Sequence, residues 1–559
     1  GSGNYPSNSV EISTSVLTNS ALWCGYGEDE ACIEIPVVLA MHPVDVPYQT
    51  TITTTETIHK TRNWTTCENV FQLEQYHNLI SGGISIQYNN TQISQKIPFH
   101  HRMITWKLIS EANILEKEKN SAFYGEFDNG TPFIQNNNVY NNGMKEETSE
   151  MHITSSSQIN IGASKRIEQT NNAIESDTWY TDSQTFKQRT YMDFSQTFLG
   201  DKAKPDTITD ITVEDFQKKM QTYVKYYIAK IRLKDLSSFL AQSNLVRGSF
   251  LTLKFNFNSV KTKLKLNHDD ATPYFSVTDN QIIGEQNPTM VANSLSGLGL
   301  NIPTQSKNIV TGTDQPYCEY MLEMNVGKLS TSPAGFTSQQ TFVHPIIQGC
   351  RLAVPTYTFS PLSLKNYLAL NSQPRQISYE EAVCYTFDVA SGASVNQLLS
   401  SSIINAKYLL MVPTLTAQTI NSNVLPEHSP FVPCSLPCAP YWLPEDFQLH
   451  IASTPQFQSP LNTKDDFLRN SCELLDYNAL QGNRLAGLTS NLVTKNNHLP
   501  LYNYLLFNLT NRLSSENNIP KSISVSFRSP YKYNIKLTCY IVFSKEAAIE
   551  VETGRLIPM

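Results

Sequence analysis

Few residues in this chain have the types and spacing that chemistry needs. Cys434-Ser-Leu-Pro-Cys438 has the spacing of a metal-ligand pair, but a structural zinc site takes four ligands. No second close cysteine pair and no HxxxH run accompanies it, and His428 and His450, the nearest histidines, fall in no recognised spacing. Loop cysteines without a metal are the preferred reading. His100-His101-Arg102 could supply a base or a ligand pair; beside an apolar run it reads as a strand-edge turn. His268-Asp269-Asp270 offers oxygen and nitrogen ligands and reads as an ordinary loop. Carboxylate pairs stand at Glu146-Glu147, Glu380-Glu381 and Asp465-Asp466. Neighbours on a strand point to opposite faces, so such pairs rarely act together as acid and base. Cys350, Cys384, Cys472 and Cys539 lie in apolar runs, where a thiol is more often buried than reactive. There is no phosphate-cradling GxxxxGK[ST] and no GxSxG elbow. The residues assign no catalytic, cofactor-binding or metal site, and an enzyme is not expected.

The elements that would position side chains are mainly strands. In Ile231 to Phe257, the residues Ile231, Leu233, Leu236, Phe239 and Leu240 have the spacing of a short amphipathic helix. Arg247-Gly248 breaks it, and Leu251, Leu253, Phe255 and Phe257 then alternate with polar residues as a half-buried strand. A looser copy of the unit is expected about 160 residues later by the numbering, in keeping with two similar domains. There Val395, Leu398, Leu399, Ile403 and Ile404 form a helical stripe, and the run Tyr408 to Val412 is a strand stopped by Pro413. Ile84, Ile86 and Tyr88 alternate up to Asn89-Asn90, a pair able to take the positive φ angles of a two-residue hairpin turn.

Residues 1 to 30 are polar and read as an N-terminal arm, and the opening GSG as a tag or processing scar. Residues 113 to 188 are Asn-rich, with sparse apolar residues, and read as a surface insertion between strands. Thr212-Val-Glu-Asp215 could cap a short helix reaching Met220. Six prolines mark 425 to 444 as an ordered loop. The last strands are expected in SISVSFRS, YNIKLTCYIVF and AAIEVET. With about eight strands in each half, the expected fold is all-β: two tandem eight-stranded jelly rolls with short helices and long loops. The boundaries are 31–262 and 263–559, the two rolls meeting between about Asn258 and Asp270.

Composition agrees. Charged residues are 16% of the chain, below the usual quarter or so. The 27 tyrosines and 25 phenylalanines, with many Thr and Ser, favour strands. Net charge is −7, and the densest basic run, Lys261-Thr-Lys263-Leu-Lys265, alternates as the wet face of a strand does. No nucleic-acid site is expected from it. No run of 18 apolar residues and no leader is seen, so neither a membrane span nor secretion is expected. Ten cysteines in 559 residues are no disulfide framework. The sequons at Asn63, Asn89, Asn129 and Asn508 count for little in so Asn- and Thr-rich a chain.

Four passages carry a resemblance. They are FQLEQYHNLISGGISIQYNNTQISQKIPF, IRLKDLSSFLAQSNLVRGSFLTLKFNFN, FQLHIASTPQFQSPLNTKDDFLRNSCELLDYN and IKLTCYIVFSKEAAIEV. In that order they resemble the double jelly-roll major capsid protein of the virophage and Polinton-like virus lineage, from about Cys32 to Thr553. The resemblance implies a viral structural protein that forms a homotrimeric capsomer of pseudo-sixfold outline. Such capsomers tile an icosahedral virion shell, assembled inside the host cell with a penton and minor capsid proteins. The 113–188 and 425–444 segments would face outward. It implies no catalytic residue and no cofactor. Some members carry a further C-terminal segment that a protease removes; it is either absent here or already removed.

Two other classes compete. An adhesin or glycan-binding protein could stack sugars on Trp64, Trp106, Trp179 or Trp442. A β-sandwich glycoside hydrolase would need two carboxylates about 5–10 Å apart in a cleft.

Overall fold

The computed structural model describes residues 9–13, 22–43, 57–59, 71–73, 76–80, 82–111, 196–198, 210–212, 222–257, 260–267, 274–276, 290–292, 317–326, 349–415, 442–463, 465–470, 504–510, 519–531 and 534–558. The 113–188 insertion, His268-Asp269-Asp270, Cys434, Cys438 and nearly all of the Pro-rich stretch lie outside these residues. So does the helix expected after Thr212.

The strands in chain order begin with β1 (Ser9–Ser13), β2 (Trp23–Gly25), β3 (Cys32–Pro43), β4 (Thr57–His59), β5 (Phe71–Leu73), β6 (Ile84–Tyr88) and β7 (Thr91–Ser94). After helix α1 (His100–Glu111) come β8 (Gln196–Phe198), β9 (Asp210–Thr212) and β10 (Thr222–Arg232). Helices α2 (Leu233–Leu236) and α3 (Ser238–Gln242) lead to β11 (Asn244–Arg247), β12 (Leu251–Asn256), β13 (Val260–Asn267), β14 (Tyr274–Ser276) and β15 (Met290–Ala292). Then follow β16 (Tyr317–Val326), β17 (Arg351–Ala353), β18 (Thr356–Tyr357) and helix α4 (Pro361–Leu370). The last set is β19 (Arg375–Val389), β20 (Ser394–Ile403), β21 (Ala406–Leu415), β22 (Glu445–Ile451) and β23 (Thr454–Pro455). It continues with β24 (Leu505–Asn508), β25 (Lys521–Arg528), β26 (Ile535–Ile549) and β27 (Leu556–Pro558). The protein is all-β with antiparallel sheets, as its composition predicts.

The eight strands β19 to β26 form two four-stranded sheets, ordered β19-β26-β21-β24 and β20-β25-β22-β23. Lettered B to I in chain order, these are B-I-D-G and C-H-E-F, the strand order of a jelly roll. In the first half, β1-β12-β6-β7 takes the C-H-E-F places, and β3 and β10 lie side by side as D and G do. The places of I and B beside β3 are filled by β16 and then β13. Strand pairing thus carries the first half's sheets well past residue 262: β16 and β17 pair with β3, and β18 pairs with β2. Residues 1 to 30, read from sequence as an arm, supply β1 and β2, and Trp23, Cys24 and Tyr26 are buried.

The Asn89-Asn90 hairpin is as expected, with φ of 45° and 63°. The Asn89 side chain also accepts from Phe250 N at 2.6 Å and donates to Gly554 O at 2.6 Å. The helix–turn–strand unit is modified: Ile231 still belongs to β10, and Ser237 divides the expected helix in two by accepting from Phe239 N. The alternating strand after it is β12, with Leu251, Leu253 and Phe255 fully buried.

Three expectations are corrected. The 395–404 stripe is strand β20, not a helix; Leu398 and Ile404 are exposed, so the spacing that looked helical is not one buried face. A register shift between Leu398 and Ser400 lets the consecutive Leu399 and Ser400 both be buried, which breaks the period of two that would have identified a strand. The two halves are therefore alike in their C-H-E-F sheets, not in a repeated helix–strand unit. Pro413 does not stop β21: it pairs with Leu537 beyond the last described pairing of β24, Met411 with Leu505, where a missing N–H costs no described ladder bond. The last two expected strands are one, β26, which runs unbroken alongside all fifteen residues of β19.

Candidate functional site

Of the side chains that the sequence offered as candidates, His100-His101-Arg102 and Glu380-Glu381 meet at the seam between the halves. The B-I-D-G sheet of the second sandwich lies there, apolar on both faces. Leu409, Met411, Leu505, Phe507, Ile535, Leu537, Cys539 and Ile541 point into the second sandwich's own core. Their neighbours Tyr408, Leu410, Val412, Tyr504, Leu506, Tyr540 and Val542 belong to the core that also holds Ile33, Ile35, Leu253 and Phe255 of the first half. One sheet is thus the wall of two cores. Full burial of an aliphatic or aromatic side chain stabilises by about 1.5–3 kcal/mol, so this contact is worth far more than a flexible domain junction. The sequence carried a signal for it: YLLMV and CYIVF are continuous apolar runs, the mark of a strand covered on both faces.

Helix α1 lies against that sheet. His100-His101-Arg102, expected as an exposed turn, is its buried first turn, with His100 at 3% exposure and His101 and Arg102 at 0%. The Arg102 guanidinium lies 4.6 Å from the Phe99 ring centre and donates to Thr538 Oγ1 of β26 at 3.0 Å. Phe99, held at φ +52°, has its carbonyl accept Tyr540 Oη at 2.7 Å. Trp106 packs on Tyr408 and Tyr504, with ring centres 5.3 and 6.2 Å away.

Charged residues surround this contact. Glu380 receives Lys107 from α1 at 2.5 Å and Lys407 from β21 at 3.0 Å. Burial alone would raise its carboxyl; the two lysines outweigh burial and hold it at about 2. Its neighbour Glu381 engages Lys545 and accepts from the backbone N of Gln95. Along the rest of the seam, Ser238 Oγ accepts from Glu380 N at 2.8 Å and Gln242 donates to Ser378 O at 2.7 Å. Arg375 donates to Asn244 O at 2.9 Å, and Tyr367 of α4 donates to Leu245 O at 2.8 Å. Arg247 N donates to Val551 O at 2.8 Å.

These groups are not tuned for proton transfer at neutral pH. Burial, with Arg232 adding to it, lowers His77 to about 3; burial, with Lys107, lowers His100 to about 4; His101 is also driven well down. Burial pushes the thiols of Cys350 and Cys384 up to about 12 and that of Cys539 well above its usual value. Among the described residues no three His, Cys, Asp or Glu side chains gather as metal ligands, and no helix is long and apolar enough to cross a membrane. Of the tryptophans considered as sugar platforms, Trp106 and Trp442 are buried, and Trp64 and Trp179 lie outside the described residues. Asp465 and Asp466 stand in the short helical stretch 465–470, where Asp466 accepts from Thr463 Oγ1 at 2.7 Å.

No protein-family model matches the chain, and no curated protein matches it. Among solved structures, it is similar to the mavirus major capsid protein at 8% identity, over 100% of this chain and 88% of that one, with a TM-score of 0.40. It is similar to the Sputnik virophage structure at 10% identity, over 99% and 87%, with a TM-score of 0.41. The Faustovirus major capsid protein matches at 7% identity, over 98% and 88%, with a TM-score of 0.37. The jelly-roll assignment itself stands on the strand orders of this chain.

Proposed function

We propose that this chain is a viral major capsid protein, a structural subunit that forms homotrimers which tile an icosahedral virion shell together with penton and minor capsid proteins. The observation that carries the reading is the B-I-D-G sheet shared by two cores. Two sandwiches fixed side by side make one elongated block. Three such blocks around a threefold axis present six similar units and a closed ring that stops growing at a defined size. We place the division between the two sandwiches at α4, between β18 and β19, rather than at 262. Low charge and abundant Tyr and Phe suit surfaces that are buried on assembly. Catalysis forms no part of this proposal.

Light scattering at micromolar protein tests it. The expected mass is three times 62.9 kDa, unchanged between low and raised salt, because no opposing charge blocks hold the subunits. A monomer mass in both buffers overturns the reading.

A further inference from the structure

We infer that the seam between the two sandwiches is an acid-sensitive latch, in which protonation of His77, His100 and His101 releases α1 from the B-I-D-G sheet. The inference is independent of trimer formation.

The geometry comes first. His77, in the 3₁₀ turn Tyr76–Ile80, and the first turn of α1 belong to elements that pack on each other, and the turn also packs on β10. His77 and His101 are fully buried, and His100 is nearly so. Neither ring nitrogen of His101, nor Nδ1 of His100, has a hydrogen-bond partner. A proton arriving there meets no acceptor.

The surrounding charges add to the penalty. From α1, Arg102 acts on His101 and Lys107 on His100; from β10, Arg232 acts on His77; the histidines also act on one another. All these influences disfavour a further positive charge. From β19 come Glu380 and Glu381, the first engaged by Lys107 and Lys407, the second by Lys545. Cys384 of β19, and Cys539 and Tyr540 of β26, are held neutral by burial. The carboxylates that could welcome an imidazolium are thus already occupied.

The sign follows from linkage. Each buried histidine binds its proton less readily closed than open, where its pKa returns to about 6.5. The closed state is fully favoured above about pH 6.5 and loses its advantage as pH falls from there toward 4 and 3. Each proton taken up shifts opening by about tenfold per pH unit, and three shift it by up to about a thousandfold. Opening frees α1, whose departure breaks the Arg102–Thr538 and Tyr540–Phe99 bonds together.

Hydrogen–deuterium exchange of the whole protein between pH 7 and 4, corrected for intrinsic exchange, tests this. The peptide covering 100–111 is expected to lose protection by a pH-dependent opening near pH 5, ahead of peptides 535–543 and 521–528, whose amides stay in the ladders of the second sandwich. The slope of the opening constant against pH should approach three protons. His100→Gln and His101→Gln should each lower that slope by about one and shift the opening to lower pH. Simultaneous exposure of all three peptides overturns the inference, as does a slope near zero. Should either variant fail to fold, the slope measured on the unaltered protein still decides.

Discussion

At the scale of single residues, the seam depends on charges whose partners lie far away in sequence. Arg102 and Thr538 are separated by 436 positions, and Lys107 and Glu380 by 273. No local pattern announces either pair, so His100-His101-Arg102 looked like a turn and Glu380-Glu381 like an idle pair. Their roles emerge only when α1 lies on the sheet. Glu380 gives a test with a defined sign. Its carboxyl is held at about 2, below the ordinary value of 4.5, so its contribution is present above pH 4.5 and is lost as pH falls through 2. Glu380→Gln is expected to lower stability at pH 7 by about 2–3 kcal/mol. That deficit should shrink steadily below pH 4.5, as measured by urea unfolding at several pH values. An equal deficit at pH 7 and pH 2.5 would show that the ion pairs do not supply it.

At the scale of elements, what was legible followed backbone period and turn chemistry. The alternation of Leu251, Leu253 and Phe255 and the Asn89-Asn90 turn were read correctly because each rests on residues adjacent in the chain. Strand β20 was misread because a bulge let Leu399 and Ser400 face inward together and left Leu398 outside. Strand β26 was cut in two because its polar step at Ser544–Glu546 imitates a turn, whereas β19 pairs straight through it. The close approach of Gly554 to β11 was invisible for another reason: it joins residues 307 positions apart, 554 less 247. Gly554 has φ +67°, and a Cβ there would stand 2.7 Å from Arg247 O. Gly554→Ala is therefore expected to cost about 1–3 kcal/mol and lower the thermal midpoint, since both strain and clash oppose it. Gly392→Ala, also at positive φ but with nothing within 4 Å, should cost less.

At the scale of the whole molecule, the shared sheet joins what composition and strand count presented as two domains. A sheet apolar on both faces cannot leave one core without exposing Tyr408, Leu410, Leu506, Tyr540 and Val542 to water. Calorimetry at neutral pH should accordingly show one cooperative transition, not two separated by many degrees. The fragment from residue 375 to 559, made alone, should aggregate or bind a hydrophobic dye, because that face would be a large exposed apolar patch. Two well-separated transitions and a soluble, dye-silent fragment would mean that the halves are merely neighbours.

Strand β26 also sets an order of events during synthesis. Most multidomain chains fold from the N-terminus as they emerge, each domain closing before the next is made. Here Tyr540, Val542, Ala547, Ile549 and Val551 complete the core that contains the first half's strands. The ribosome delivers them after every first-half strand of that core. Until then the first sandwich has an open flank, and its β3 and β12 faces wait for a wall not yet translated. Both cores are therefore expected to close only once β26 has emerged.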